Sequence, residues 1–150
     1  MDGSEAQEPW RPHPVVEGEW TGWQTYDSDP FETLAGPYYQ RRDGEGRVVC
    51  AFRAEKKHMN GGGFMHGGCL ATFADYALFV IAEDALRDTG SVTASLNCEF
   101  VDSAREGELI EARGEVVRAG GSMVFVRGLV ESGGRPLLNF SAIVKKVRRH

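Results

Sequence analysis

Asp75 is the only charged residue between Cys69 and Ala82, in the run Cys-Leu-Ala-Thr-Phe-Ala-Asp-Tyr-Ala-Leu-Phe-Val-Ile-Ala, and His66-Gly67-Gly68 opens that run. A carboxylate in such surroundings loses water unless the fold supplies partners, which marks it as a candidate for chemistry. If ionised, Asp75 can take a proton from water or attack a carbonyl carbon itself, forming a transient mixed anhydride. Gly67 and Gly68 stand where a helix would begin, and the first N–H groups of a helix are unpaired and carry positive partial charge. With no side chain in the way, the Gly67 amide can approach a developing oxyanion, which suits acyl transfer. Asn60 precedes His66 by six residues; it could orient a water, and His66 could hydrogen-bond near the reacting group or fix the loop.

These residues need elements to hold them. From Gly67 to about Leu86 the chain reads as a helix that is apolar almost all round, so other elements must enclose it. Before it, Asp29-Pro30-Phe31-Glu32 reads as a helix start with Asp29 as N-cap, and Gly36-Pro37 ends that helix quickly. Strand-like segments 38–41 and 47–54 flank the turn Asp43-Gly44-Glu45-Gly46. Four more strands are expected after the long helix, at 91–101, 108–118, 122–131 and 136–147, separated by glycine-bearing turns. In the first of them Val92, Ala94, Leu96, Cys98 and Phe100 alternate with polar residues, the period of a half-buried strand. The expected class is α+β, with an antiparallel sheet of about five to six strands wrapped around one long buried helix.

At 150 residues, 41% of them hydrophobic, the chain suits one globular domain, here 30–150, preceded by an arm at 1–29 that is partly ordered. Trp10, Trp20 and Trp23 lie in that arm, and at least the last two are expected to pack on the domain or on a partner subunit. The net charge is −5 and the basic residues cluster only at Lys145-Lys146-Val147-Arg148-Arg149, which argues against nucleic-acid binding. Cys50, Cys69 and Cys98 are widely spaced among apolar or strand-like residues, as reduced thiols of a cytoplasmic protein would be, and no metal-ligand spacing appears. The acidic, polar start is unlike a signal peptide, and the longest apolar stretch is too short to span a membrane.

Asn60, His66-Gly67-Gly68 and Asp75, at spacings of six and nine residues and followed by four strands, resemble the hotdog-fold thioesterases of the phenylacetate-pathway (PaaI-like) type over roughly residues 30–147. The resemblance implies an acyl-CoA thioesterase with no cofactor beyond the coenzyme A of its substrate. It places Thr93 where similar enzymes carry a Ser or Thr facing the site. It also implies a homodimer with sites at the subunit interface, assembled as a dimer of dimers. Geometry agrees with shared sites, because Gly67 and Asp75 are eight residues apart on one helix, about 12 Å of rise. Each site then pairs Asn60, His66 and Gly67 of one subunit with Asp75 of its neighbour. Gly68, Phe64, Met65, Phe73, Tyr76 and Phe79 are the candidates for the acyl end of the substrate, and Arg118 beside Gly120-Gly121, with Arg127 and the basic tail, for the nucleotide end.

Each of these residues also has a plain structural role to weigh. Asp75 could be ion-paired, His66 a helix cap, Asn60 a turn residue, Gly67-Gly68 a close-packing device and Thr93 an ordinary strand residue. Phe73, Tyr76 and Phe79 follow one helical face, which serves a core as well as a pocket. Two other functions compete: a non-catalytic acyl-CoA-binding protein of the same fold, and a dehydratase or hydratase, whose His-acid pattern differs from this one.

Overall fold

The computed structural model describes residues 11–148, so the first ten residues of the expected arm, Trp10 among them, and Arg149 of the basic tail with His150 lie outside the described residues. In chain order the elements are β1 (His13–Pro14), β2 (Gln24–Thr25), α1 (Pro30–Ala35), β3 (Tyr39–Arg42), β4 (Val48–Arg53), a 3-10 turn (Lys56–His58), α2 (Gly67–Ile81), β5 (Gly90–Phe100), β6 (Leu109–Ala119), β7 (Met123–Ser132) and β8 (Arg135–Val147). The eight strands form one antiparallel sheet in the order β1-β2-β3-β4-β6-β7-β8-β5. α2 packs against β4, β5, β6, β7 and β8, so the sheet wraps the helix. Among the described residues no helix is long and apolar enough to cross a membrane.

The strand count exceeds the expected five to six. The two extra strands, β1 and β2, have two residues each and belong to the arm, where no period is long enough to read. Packing aligns them instead. Trp20 stacks on Tyr39 with ring centres 4.3 Å apart, the Arg41 guanidinium lies 4.7 Å over Trp23, and the Thr25 hydroxyl donates to the Tyr38 carbonyl at 2.7 Å.

The long helix is five residues shorter than its apolar run suggests. It ends at Ile81, and Ala82 to Thr89 form tight turns held by Ala85 to Ala82, Leu86 to Ala82 and Thr89 to Leu86 hydrogen bonds. Ala82 and Leu86 remain buried in those turns, so the hydrophobic pattern outlasts the helix. Arg42 pairs with Glu83 at this corner.

Along α2, Leu70, Phe73, Ala74, Tyr76, Ala77, Leu78 and Val80 are buried against Phe52, Ile110, Val124, Val126, Val130, Leu137, Leu138 and Phe140 of the sheet. Full burial of such a Leu or Phe stabilises by roughly 1.5–3 kcal/mol. Close approach depends on two glycines paired across β6 and β7, Gly114 and Gly128. A methyl group on Gly128 would overlap the Phe140 ring and the Arg113 carbonyl, and one on Gly114 would reach Ile81 of α2 at 2.9 Å.

Candidate active site

α2 begins at a built N-terminus. His66, at φ −62° and ψ 134°, is the N-cap, and its Nδ1 accepts from the Gly68 N–H at 2.9 Å. The neutral ring therefore carries its proton on Nε2. The Cys69 and Leu70 N–H groups donate to the His66 carbonyl. That leaves the Gly67 N–H as the one donor of the first turn without a protein acceptor among the described residues, at the positive end of the helix dipole. The ring of Phe100, a mostly exposed residue, lies over Gly67: a Cβ there would meet it at 3.3 Å.

The loop before this N-terminus is fixed from both sides. The His66 N–H donates to the His58 carbonyl and the Met65 N–H to the Ala104 carbonyl, both at 2.8 Å. Asn60 folds its Oδ1 back to accept from Gly62 at 2.9 Å and from Phe64 at 3.2 Å, an Asx-type turn that Gly63 completes at φ +83°. Its amide Nδ2 donates to nothing among the described residues and stays available to a ligand.

Asp75 lies in the middle of α2, half-buried, with no ion pair among the described residues. It accepts a 2.6 Å hydrogen bond from the Thr93 hydroxyl of β5. This contact depends on a departure from simple alternation. β5 pairs with β8, and its register shifts between Thr93 and Ser95, leaving Ala94 as the extra residue of a bulge. Before the bulge Thr93 faces α2 and Val92 faces solvent; after it Leu96 and Cys98 turn toward the core. The expected even alternation of Val92 and Ala94 with Leu96 and Cys98 is thus broken, and the break brings Thr93 to Asp75. Burial, then the Asp75 charge, raises the Cys98 thiol above its ordinary value.

The other candidate residues separate. Phe73 and Tyr76 are almost wholly buried, Met65 is buried, Phe79 is half-buried and Phe64 is exposed with Arg105 4.4 Å over its ring. Gly68 sits in the cap. Arg118 and Gly120 close β6, while Gly121 lines an open cleft of about 500 Å³ with Asp88, Thr89, Lys146, Val147 and Arg148. Arg127 is paired with Glu115. Among the described residues no three His, Cys, Asp or Glu side chains meet as metal ligands would.

Three residues around the site escape sequence reading. Glu32, in the first turn of α1, has its carboxyl pushed up to about 7 by burial first and then by the Asp29 and Asp75 charges. Its only sequence signal was a first-turn acid after a proline. His58 is buried between α1 and the Asn60 loop: its Nδ1 accepts from the Glu55 N–H at 2.9 Å and its Nε2 donates to the Ala35 carbonyl at 2.6 Å. Gln40 is buried on β3, where the pattern of 38–41 announces only a strand.

Residues 62–138 match the family model described as the thioesterase superfamily. A candidate esterase of Pseudomonas aeruginosa is 34% identical over 79% of this chain and 89% of its own. Human acyl-coenzyme A thioesterase 13 is 27% identical over 63% of this chain and 68% of its own. Among solved structures, a variant of the phenylacetic acid degradation protein PaaI from Thermus thermophilus superposes with a TM-score of 0.68 at 27% identity, covering 79% of this chain and all (100%) of that one.

Proposed function

This chain belongs to the thioesterase superfamily and has its hotdog fold, and from that premise we propose that it hydrolyses the thioester of an acyl-CoA to the free acid and CoA. The observation that carries the proposal is the half-buried Asp75 carboxylate, without a counter-ion among the described residues and held at one oxygen by Thr93, on the helix whose N-terminal Gly67 N–H has no acceptor among them. The similarity to an acyl-coenzyme A thioesterase supports the substrate class.

In the proposed reaction Asp75 takes a proton from a water as that water's oxygen bonds to the thioester carbon. The carbonyl electrons move onto oxygen, and the oxyanion accepts from the Gly67 N–H at the helix N-terminus. The Asn60 amide and the His66 Nε2 proton offer further donors beside that point. Collapse of the intermediate re-forms the carbonyl, breaks the carbon–sulfur bond and expels the CoA thiolate, which takes up the proton. Every step uses water, a carboxylate and fixed donors. Attack by Asp75 itself, through a mixed anhydride, would use the same groups.

Eight residues of helix rise put Gly67 and Asp75 of one chain about 12 Å apart, so each site in this proposal takes Gly67 from one subunit and Asp75 from its neighbour. A homodimer is the minimum assembly and a dimer of dimers the expected one. Cys50, Cys69 and Cys98 are all free, which fits a reducing cytoplasm.

The test is thiol release from phenylacetyl-, hydroxybenzoyl-, short-chain and long-chain acyl-CoAs by the native protein and Asp75→Ala. Turnover that collapses in the variant while its circular dichroism is unchanged is the expected result. Equal rates in both would remove Asp75 from the mechanism, and acyl-CoA binding without thiol release would favour a binding protein of the same fold.

A further inference from the structure

His58 is a buried titratable side chain that the proposed reaction does not use. It is 4% exposed, and its ring stands at 79° to the Phe52 ring with centres 5.0 Å apart. Both ring nitrogens are taken by main chain: Nδ1 accepts from the Glu55 N–H at 2.9 Å, and Nε2 donates to the carbonyl of Ala35, the last residue of α1, at 2.6 Å. The ring is therefore neutral with its proton on Nε2, and a flipped ring would lose both bonds.

The main chain of His58 is the foot of a tight hairpin. The His66 N–H donates to its carbonyl at 2.8 Å, Met59 and Met65 pair as an antiparallel bridge, and the Asn60 N–H donates to the Phe64 carbonyl at 2.6 Å. The tip is the Asn60 turn, and the returning leg runs into the N-cap His66 and then Gly67. The Asn60 amide, the His66 ring and the Gly67 N–H thus ride on one hairpin. Its tip, residues 60–64, is exposed, so the legs must hold it. The returning leg is tied by the Met65 N–H to the Ala104 carbonyl. On the outgoing side His58 is the only buried residue between Ala54 and Met65, so its ring is the anchor of that leg.

We propose that His58 is a positioning residue of the candidate site: the two hydrogen bonds of its ring set the hairpin that aims the Asn60 amide, the His66 ring and the Gly67 N–H at one point. That this point is an oxyanion rests on the thioesterase reading. His58 itself touches no substrate in this scheme. Donors that bind a developing oxyanion act in the transition state, so loosening them costs turnover more than substrate binding. A displacement of about 1 Å at such groups can cost on the order of a hundredfold.

The experiment measures kcat and KM for thiol release from the acyl-CoA panel by the native full chain, His58→Leu, His58→Asn and His58→Gln, each checked for folding by circular dichroism. Asparagine can place an acceptor near the Nδ1 position and glutamine a donor near the Nε2 position, so each can keep one of the two bonds. We expect kcat about ten- to hundredfold lower in His58→Leu with KM within about twofold, and partial recovery in at least one polar variant. If His58→Leu does not fold, the two polar variants, each lacking one bond, carry the same kcat comparison against the native protein. Native kcat in the folded variants, with only the urea midpoint lowered, would overturn the proposal, as would a kcat loss that neither polar variant relieves. Amide hydrogen exchange on the same proteins reads the hairpin without catalysis, and the Asn60 and His66 N–H groups are expected to exchange faster in the variants. If the native protein releases no thiol, faster exchange at these two amides would keep His58 as the anchor of the hairpin while ending the thioesterase reading; unchanged exchange would end both.

Discussion

The Thr93 hydroxyl reaches from β5 to Asp75 on α2 across 2.6 Å, and the bulge at Ala94 lets a strand with an exposed Val92 on one side and a core-facing Leu96 beyond make that contact. A hydrogen bond to an ionised acceptor is worth about 1.5–3 kcal/mol. If Thr93 orients Asp75 for proton transfer, Thr93→Ala lowers kcat for acyl-CoA hydrolysis roughly ten- to hundredfold with KM little changed, and Thr93→Ser restores most of it. Steady-state thiol release on the three proteins decides this. A Thr93→Ala enzyme as fast as the native one would make the contact merely structural.

Glu32 makes stability depend on pH in a stated direction. Its carboxyl is held up to about 7 by burial and by the Asp29 and Asp75 charges, whereas an unfolded glutamate titrates near about 4.3. The folded state therefore binds more protons between those values, and stability falls as pH rises through this window. The stabilisation is complete below about pH 4.3 and gone above about pH 7. Solvent screening of a partly exposed group limits the effect to on the order of 1 kcal/mol. Urea unfolding at pH 5 and pH 8 measures it. The Glu32→Gln variant is expected to lose that contribution to the slope and to be the more stable protein at pH 8.

The parts of this molecule legible in its sequence are those set by a long period. An apolar run opened by His-Gly-Gly gives α2 and its N-terminus, and alternation gives β5 to β8 to within a residue or two. Asp29, Pro30 and Glu32 gave α1 because capping is local: the Asp29 carboxylate accepts from the Glu32 N–H at 3.0 Å. Hidden features arise from contacts between distant segments. β1 and β2 exist because Trp20 and Trp23 lie on β3, and the bulge in β5 shows only in its pairing with β8. Glu32 and Gln40 acquire their interest from residues they meet only after folding.

Gly128 tests how closely the sheet must approach its contents. It lies opposite Gly114, and a Cβ there would run into the Phe140 ring and the Arg113 carbonyl, one of which is backbone and has no rotamer to change. Gly128→Ala is expected to destabilise by about 1–3 kcal/mol, the usual cost of overpacking, despite the better strand propensity of alanine. The midpoint of urea unfolding should fall without a change in m. An unchanged midpoint would mean that Phe140 swings aside freely.

Shared sites can be tested with two crippled chains. Gly67→Pro removes the N–H that the proposed oxyanion needs, while His66, at φ −62° and ψ 134°, has the backbone that a following proline favours and proline is well tolerated at the first helical position. Phe100, 56% exposed, has room to yield to the added ring. Gly67→Pro and Asp75→Ala are each expected to lose at least about a hundredfold in kcat. If a site takes Gly67 from one subunit and Asp75 from the other, a hybrid dimer contains one doubly defective site and one native site. Unfolding and refolding equal amounts together makes half the dimers hybrids, so about a quarter of native activity returns. Co-refolded mixtures that stay as inactive as the separate variants would show that both groups serve a carbonyl from within one chain, and α2 would then have to bend or the oxyanion find another donor.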